Sequence, residues 1–185
     1  MCGPTGVGVL WGRSDLLNAM PPFLGGGSMI RNVTSDGFTP AEVPSRFEAG
    51  TQPIAEIIGL HAAVKYLEAI GMEAIRDHER DLTAYALRTL SERLGDDLTI
   101  HGPNTVEDRG GTLSLAYRDI HPHDLSQVLD QHGVCVRAGH HCAKPLMTVL
   151  GVNATARASL YLYNDKADVD ALVDALVDAG EFFAL

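Results

Sequence analysis

Gly133-Val134-Cys135-Val136-Arg137-Ala138-Gly139-His140-His141-Cys142-Ala143-Lys144-Pro145-Leu146-Met147-Thr148-Val149-Leu150-Gly151 is the stretch from which the chain is best read. Gly133 to Val136 has the character of a turn running into a short apolar strand. Leu146 to Leu150 has the character of a short helix closed by Gly151. Between them lies a loop holding a cation, a glycine, two imidazoles and a thiol. Loops held by a rigid scaffold are where reactive groups usually sit. Cys142 by itself could be one more buried, inert cysteine. Its polar company favours the other reading, because Arg137 and the two histidines can stabilise a thiolate, the reactive form of the group.

Outward from this loop the pattern is strand and helix in alternation, the mark of an α/β module. Downstream, Ala156 to Tyr163 alternates as a strand, and Lys166 to Phe183 forms an amphipathic helix with Val169, Leu172, Val173, Leu176 and Val177 on its apolar side. Upstream, Pro122 to His132 reads as a helix, Gly111 to Tyr117 as an alternating strand and Leu98 to Ile100 as a shorter one. Two further helices precede these, one from Ile54 closed by Gly71 and one from Met72 to Leu94. The charged residues of the second, from Arg76 to Asp81, are expected to form a solvated face. Before residue 54 no complete domain is visible. Val7-Gly8-Val9-Leu10-Trp11 has strand composition, and a buried strand so early in the chain needs neighbours from elsewhere. Residues 21–53 show little periodicity, yet Phe23, Met29, Ile30, Phe38 and Phe47 supply more apolar anchors than a linker needs.

Composition bounds the function. At 185 residues with 45% hydrophobic residues, the chain has material for a real core, and its formal charge of −10 argues against a nucleic-acid or anionic-membrane surface. Three cysteines spread over this length do not form a disulfide framework. No signal peptide or apolar run of membrane-spanning length is present, so the cytoplasm is the expected compartment.

A few residues outside the loop could carry chemistry. Arg157 lies mid-strand between two alanines, where its fork could grip a carboxylate or simply be solvated. His140-His141-Cys142 suggests a metal only weakly, since neighbours in an extended chain point apart and Cys135 adds no zinc spacing. His121-Pro122-His123 opens a helix, where an imidazole is commonly just exposed. Gly3-Pro4-Thr5-Gly6 and Gly25-Gly26-Gly27-Ser28 offer backbone N–H groups to a phosphate, but neither matches a nucleotide-binding fingerprint.

Five motifs in register resemble those of one family. Gly-Pro-Thr-Gly at 3–6, Gly-Gly-Gly-Ser-Met-Ile at 25–30, Arg-Phe-Glu-Ala-Gly-Thr at 46–51, Arg-Ala-Gly-His-His-Cys-Ala at 137–143 and Ala-Arg-Ala-Ser-Leu at 156–160 are similar to those of SufS-type (group II) cysteine desulfurases. These are class V aminotransferase-fold enzymes dependent on pyridoxal phosphate. The resemblance implies an α/β fold, the C-terminal part of a type I PLP-dependent transferase. Residues 1–53 would then be a remnant of the large cofactor-binding domain and an interfacial loop. Residues 54–185 would be the inter-domain helices and the small C-terminal domain.

The same resemblance implies roles. Cys142 would carry the persulfide, Arg157 would bind the substrate carboxylate, and Arg137 would lie near the active-site loop. Thr51 would reach the cofactor phosphate of the neighbouring subunit in a homodimer. His123 would take part in zinc ligand exchange with a SufU-type acceptor, no metal being intrinsic to the chain. L-Cysteine would be the substrate, and a SufU- or SufE-type protein would receive the sulfur for iron–sulfur cluster assembly. The family's Schiff-base lysine belongs to a His-Lys pair just ahead of the position of Met1. Lys65, Lys144 and Lys166, the three lysines present, match no such motif. The expectation is therefore a C-terminal half, inactive by itself. A selenocysteine lyase or a cysteine-sulfinate-acting enzyme on the same scaffold, and a non-catalytic remnant that only binds partners, are the competing readings.

Overall fold

The computed structural model describes residues 1–184 and divides into two compact units, one from Met1 to Gly71 and one from Met72 onward. The first unit contains helix α1 (Ser14–Ala19), strands β1 (Ile30–Thr34) and β2 (Gly37–Pro40), and helix α2 (Ile54–Ile70). The expected strand at Val7–Trp11 is not formed. Those residues have no regular structure, and Val9, Leu10 and Trp11 are 82%, 79% and 83% exposed. Strand propensity without a pairing partner does not make a strand. The segment from 21 to 53, by contrast, is more structured than its lack of period suggests. β1 and β2 pair antiparallel around the two-residue turn Ser35-Asp36, with Thr34 opposite Gly37. Arg46 ties this segment together, its Nε donating to the Ala41 carbonyl at 3.2 Å and its Nη1 to the Asn18 and Met20 carbonyls at 3.0 and 3.2 Å. Phe23 stacks on Phe47 with centroids 5.8 Å apart.

The second unit is built on one four-stranded sheet, β3 (Leu98–His101), β4 (Thr112–Tyr117), β5 (Arg137–Gly139) and β6 (Thr155–Ser159), in the order β3-β4-β6-β5 with every neighbouring pair antiparallel. β6 is inserted between β4 and β5, which the helix α4 (Pro122–Gln131) connects. Helices α3 (Met72–Leu94), α4 and α6 (Lys166–Phe182) bury one face of this sheet. Leu113, Leu115 and Tyr117 of β4 and Ala156 and Ala158 of β6 point into that core, against Leu90 of α3, Leu129 of α4 and Val169, Val173 and Leu176 of α6. Because successive strand residues alternate faces, Ser114 and Arg157 stand on the other side. α6 starts from a reciprocal capping box, in which the Asp165 carboxylate accepts from the backbone of Ala167 and Asp168 while Asp168 accepts from the Asp165 N–H.

Two sequence expectations need correction here. Residues 134–136 are not the strand that precedes the thiol loop; the strand is Arg137-Ala138-Gly139, so the arginine moves from the loop into the sheet. Val134 and Val136 still pack against the core, which explains their apolar character. The charged face of α3 is also not wholly solvated. Arg76 is half-buried and donates to the carbonyls of Arg109 and Val106 at 3.0 and 3.2 Å, bracing the β3–β4 connection.

Candidate active site

β5 and β6 bring Arg137 and Arg157 together. They are direct cross-strand partners in the ladder, and Ser114 of β4 is the partner of Arg157 on its other side. The pairing therefore sets two guanidinium side chains side by side on the face away from the helical core. Like charges in that position repel. The Arg157 Nε is buried and has no hydrogen-bond partner among the described residues. A forked cation with an N–H left unused by the described residues suits a carboxylate.

The chain leaves β5 at Gly139 and turns back through His140-His141-Cys142 into the helix α5 (Lys144–Leu150). His141 and Cys142 both adopt left-handed backbone, with φ of 56° and 60°, a conformation that disfavours side chains. The Ala143 N–H donates to the His140 carbonyl at 2.9 Å and closes the turn. From it the exposed Cys142 reaches back toward β5, and Arg137 Nη2 donates to its Sγ at 3.1 Å. Thiol and cation are thus in direct contact, as the sequence suggested, but through a strand residue. His141 turns the other way. Its Nε2 bonds to the Oγ1 of the fully buried Thr155 at 2.8 Å, and its Nδ1 is buried without a partner among the described residues. Burial above all, and then the positive field of Arg157, with smaller contributions from Arg137 and His140, hold the His141 imidazole below its ordinary value of 6.5; the Thr155 backbone opposes this.

The other expected site residues lie elsewhere. His123 is exposed in the first turn of α4, stacked on His121 with ring centroids 5.4 Å apart. Thr51, in the first unit, is exposed after Gly50, whose φ of 82° only glycine adopts freely and whose N–H donates to the Gly27 carbonyl at 2.8 Å. That bond joins the two glycine-bearing segments 25–28 and 46–51 and leaves the Thr51 hydroxyl open. Lys65 is paired with Glu68 at 2.8 Å and Lys166 lies 5.2 Å from the centre of the Tyr85 ring. No group of three or more His, Cys, Asp or Glu is arranged to hold a metal among the described residues. Thr155 and Ser114 were missed in the sequence, and no local pattern marks them: their place follows from strand register.

The family model for aminotransferase class-V matches residues 1–172. The chain belongs to the class-V aminotransferase family. Among curated relatives of this family it is 54% identical over 183 residues to a probable cysteine desulfurase of Streptomyces coelicolor, covering 99% of this chain and 43% of the relative. It is 50% identical over 184 residues to a cysteine desulfurase of Haloferax volcanii, covering 100% of this chain and 42% of that protein. The chain thus spans less than half the length of these relatives. Among solved structures of the family, the Escherichia coli cysteine desulfurase CsdA, in an S-sulfonic acid form, superposes with a TM-score of 0.88 at 40% identity, over 97% of this chain and 44% of that one. The cysteine desulfurase of Thermococcus onnurineus superposes with a TM-score of 0.89 at 38% identity, over 96% of this chain and 44% of that one. The expected α/β fold, a portion of the PLP-dependent transferase architecture, agrees with these superpositions.

Proposed function

We propose that this chain carries the sulfur-accepting thiol and the carboxylate-binding cation of a cysteine desulfurase, an enzyme that converts L-cysteine to L-alanine and retains the sulfur as a persulfide. The observation that carries the reading is the Arg137–Cys142 contact at 3.1 Å on the sheet face where Arg157, opposite Arg137, has an N–H without a partner among the described residues. Arg157 binds and orients the substrate carboxylate. The Cys142 sulfur attacks the substrate sulfur. The new S–S bond forms as the substrate's C–S bond breaks, and the electron pair released to carbon takes a proton to give alanine. No external oxidant is required, since one thiol and one cysteine yield one persulfide and one alanine. Arg137 holds the sulfur through a charge-assisted bond and orients it toward that attack.

The residues fit one end of the pyridoxal phosphate that the family uses. The open Thr51 hydroxyl, following a glycine in left-handed conformation, would donate to its phosphate, in the neighbouring subunit of a homodimer. When bound, the cofactor supplies an electron sink for the substrate carbon. In the same reading the enzyme is of the group II type and works in the cytoplasm, and His123 serves an acceptor protein of the SufU or SufE type. No helix among the described residues is long and apolar enough to cross a membrane.

The test is to incubate the holoenzyme that contains this chain with L-cysteine. The reading expects the peptide bearing Cys142 to become one sulfur atom heavier, with alanine released, and expects Cys142→Ser to abolish the added sulfur. Sulfur added at Cys2 or Cys135 instead, or alanine release that survives Cys142→Ser unchanged, would sink it.

A further inference from the structure

The left-handed conformation of both His141 and Cys142 has to be held by something, because a flexible loop of ordinary residues would relax out of it. The Ala143 to His140 turn bond is local and closes the turn without fixing its position over the sheet. Arg137 reaches the sulfur from an exposed side chain on the edge strand β5. The side-chain hydrogen bond that ties the loop to the sheet's interior among the described residues is His141 Nε2 to Thr155 Oγ1 at 2.8 Å. Thr155 is fully buried and belongs to β6, which is paired on both sides. It is also two residues from Arg157, so strand periodicity places both on the same face. One interior strand therefore carries the cation for the substrate carboxylate and the anchor for the loop that presents the thiol.

We propose that His141 is a positioning residue, latched by the Thr155 hydroxyl, that holds the strained turn from which Cys142 presents its sulfur to the substrate gripped by Arg157. This rests on the desulfurase reading for its purpose, but the latch itself is a property of the loop. The groups facing His141 are Arg137 from β5, Arg157 from β6 and His140 from the loop, all cations or able to become so. Protonating His141 adds a third positive charge to this cluster, at a ring whose charged form burial already disfavours, so the latch loosens as the pH falls.

The experiment compares the wild-type holoenzyme with Thr155→Val, Thr155→Ser and His141→Asn. Amide hydrogen exchange is followed over residues 138–147, and alkylation by iodoacetamide is followed at Cys142 with Cys2 and Cys135 as controls in the same chain. Circular dichroism identifies any variant that fails to fold. His141→Asn tolerates left-handed backbone and so tests the latch without adding strain. Thr155→Val and His141→Asn should each raise loop exchange by about fivefold, the factor that one lost hydrogen bond is worth, and should change the Cys142 alkylation rate without changing that of the controls. Thr155→Ser should restore both. Lowering the pH below about 6.5, the ordinary imidazole value, should move the wild type toward Thr155→Val behaviour while Thr155→Val itself stays level. Unchanged exchange in both latch variants, a failure of Thr155→Ser to restore, or a pH profile shared by wild type and Thr155→Val would overturn the proposal. Absence of a Cys142 persulfide in the wild type would overturn the desulfurase reading and leave the latch to be judged on exchange and alkylation.

Discussion

Arg137 and Arg157 face each other directly across the antiparallel pairing of β5 and β6. Two guanidinium groups in that relation cost stability, and the Nε of Arg157, buried without a partner among the described residues, adds to the cost. In the proposed function the substrate carboxylate is the anion that offsets this repulsion.

Replacing Arg157 with methionine should therefore leave the thermal midpoint unchanged or raise stability by up to about 1 kcal/mol. In the holoenzyme the same change should lower kcat/KM for L-cysteine by about 10- to 100-fold, the scale of a lost charge-assisted hydrogen bond. Differential scanning calorimetry and steady-state kinetics check the two halves. A large loss of stability would show that Arg157 is structural.

At Cys142 the backbone φ of 60° favours glycine over every other residue. Cys142→Gly and Cys142→Ala both remove the sulfur and its contact with Arg137, so their difference isolates the backbone. Cys142→Gly should be the more stable of the two by about 1 kcal/mol at this left-handed position. Urea denaturation of both variants measures this, and equal midpoints would mean that the turn is not strained.

His141 predicts a pH dependence of known sign. Its folded imidazole lies below the ordinary value of 6.5, chiefly through burial and then through Arg157. As the pH falls through about 6.5, the unfolded chain takes up this proton before the folded one. The stability associated with His141 is therefore level above that pH and is lost below it. The chain has eight histidines, so the test is the difference between wild type and His141→Gln. The variant should show a shallower fall in stability between about pH 7 and pH 5. An identical slope in both proteins would contradict the burial of an uncharged imidazole here.

Gly180 gives a prediction opposite in sign to helix propensity. It is buried in α6, where glycine to alanine ordinarily stabilises by about 1 kcal/mol. A Cβ added there would run into the Tyr117 hydroxyl, and it would lie 3.0 Å from Arg118 Nη1, which donates to the Gly180 carbonyl at 2.8 Å. Tyr117 is itself buried in the core and has little room to yield. Gly180→Ala should destabilise by about 1–3 kcal/mol, as overpacked core sites do, and thermal unfolding decides the sign.

What the sequence determined by itself was local. α2, α3, α4 and α6 were legible because a helix writes its period and its ends into consecutive residues, and Gly71 and Pro122 mark two of those ends. Cys142, Arg137 and Arg157 stood out as candidates because of their residue types and of motifs that a family shares. Strand composition at Val7–Trp11 misled, because a strand exists only where another pairs with it. The β1–β2 hairpin, which turns at Ser35-Asp36, was missed because its strands are short and largely exposed and so carry no buried alternation. What the tertiary structure alone decided was register and insertion. Nothing in residues 155–159 says that β6 slides between β4 and β5, yet that placement sets Arg157 opposite Arg137 and Thr155 under His141. Shifting the β6 register by one residue would send Arg157 into the core and the alanines beside it to the surface. The burial of Ala156 and Ala158 against the helices excludes that shift, and so the core fixes the geometry of the site on the opposite face.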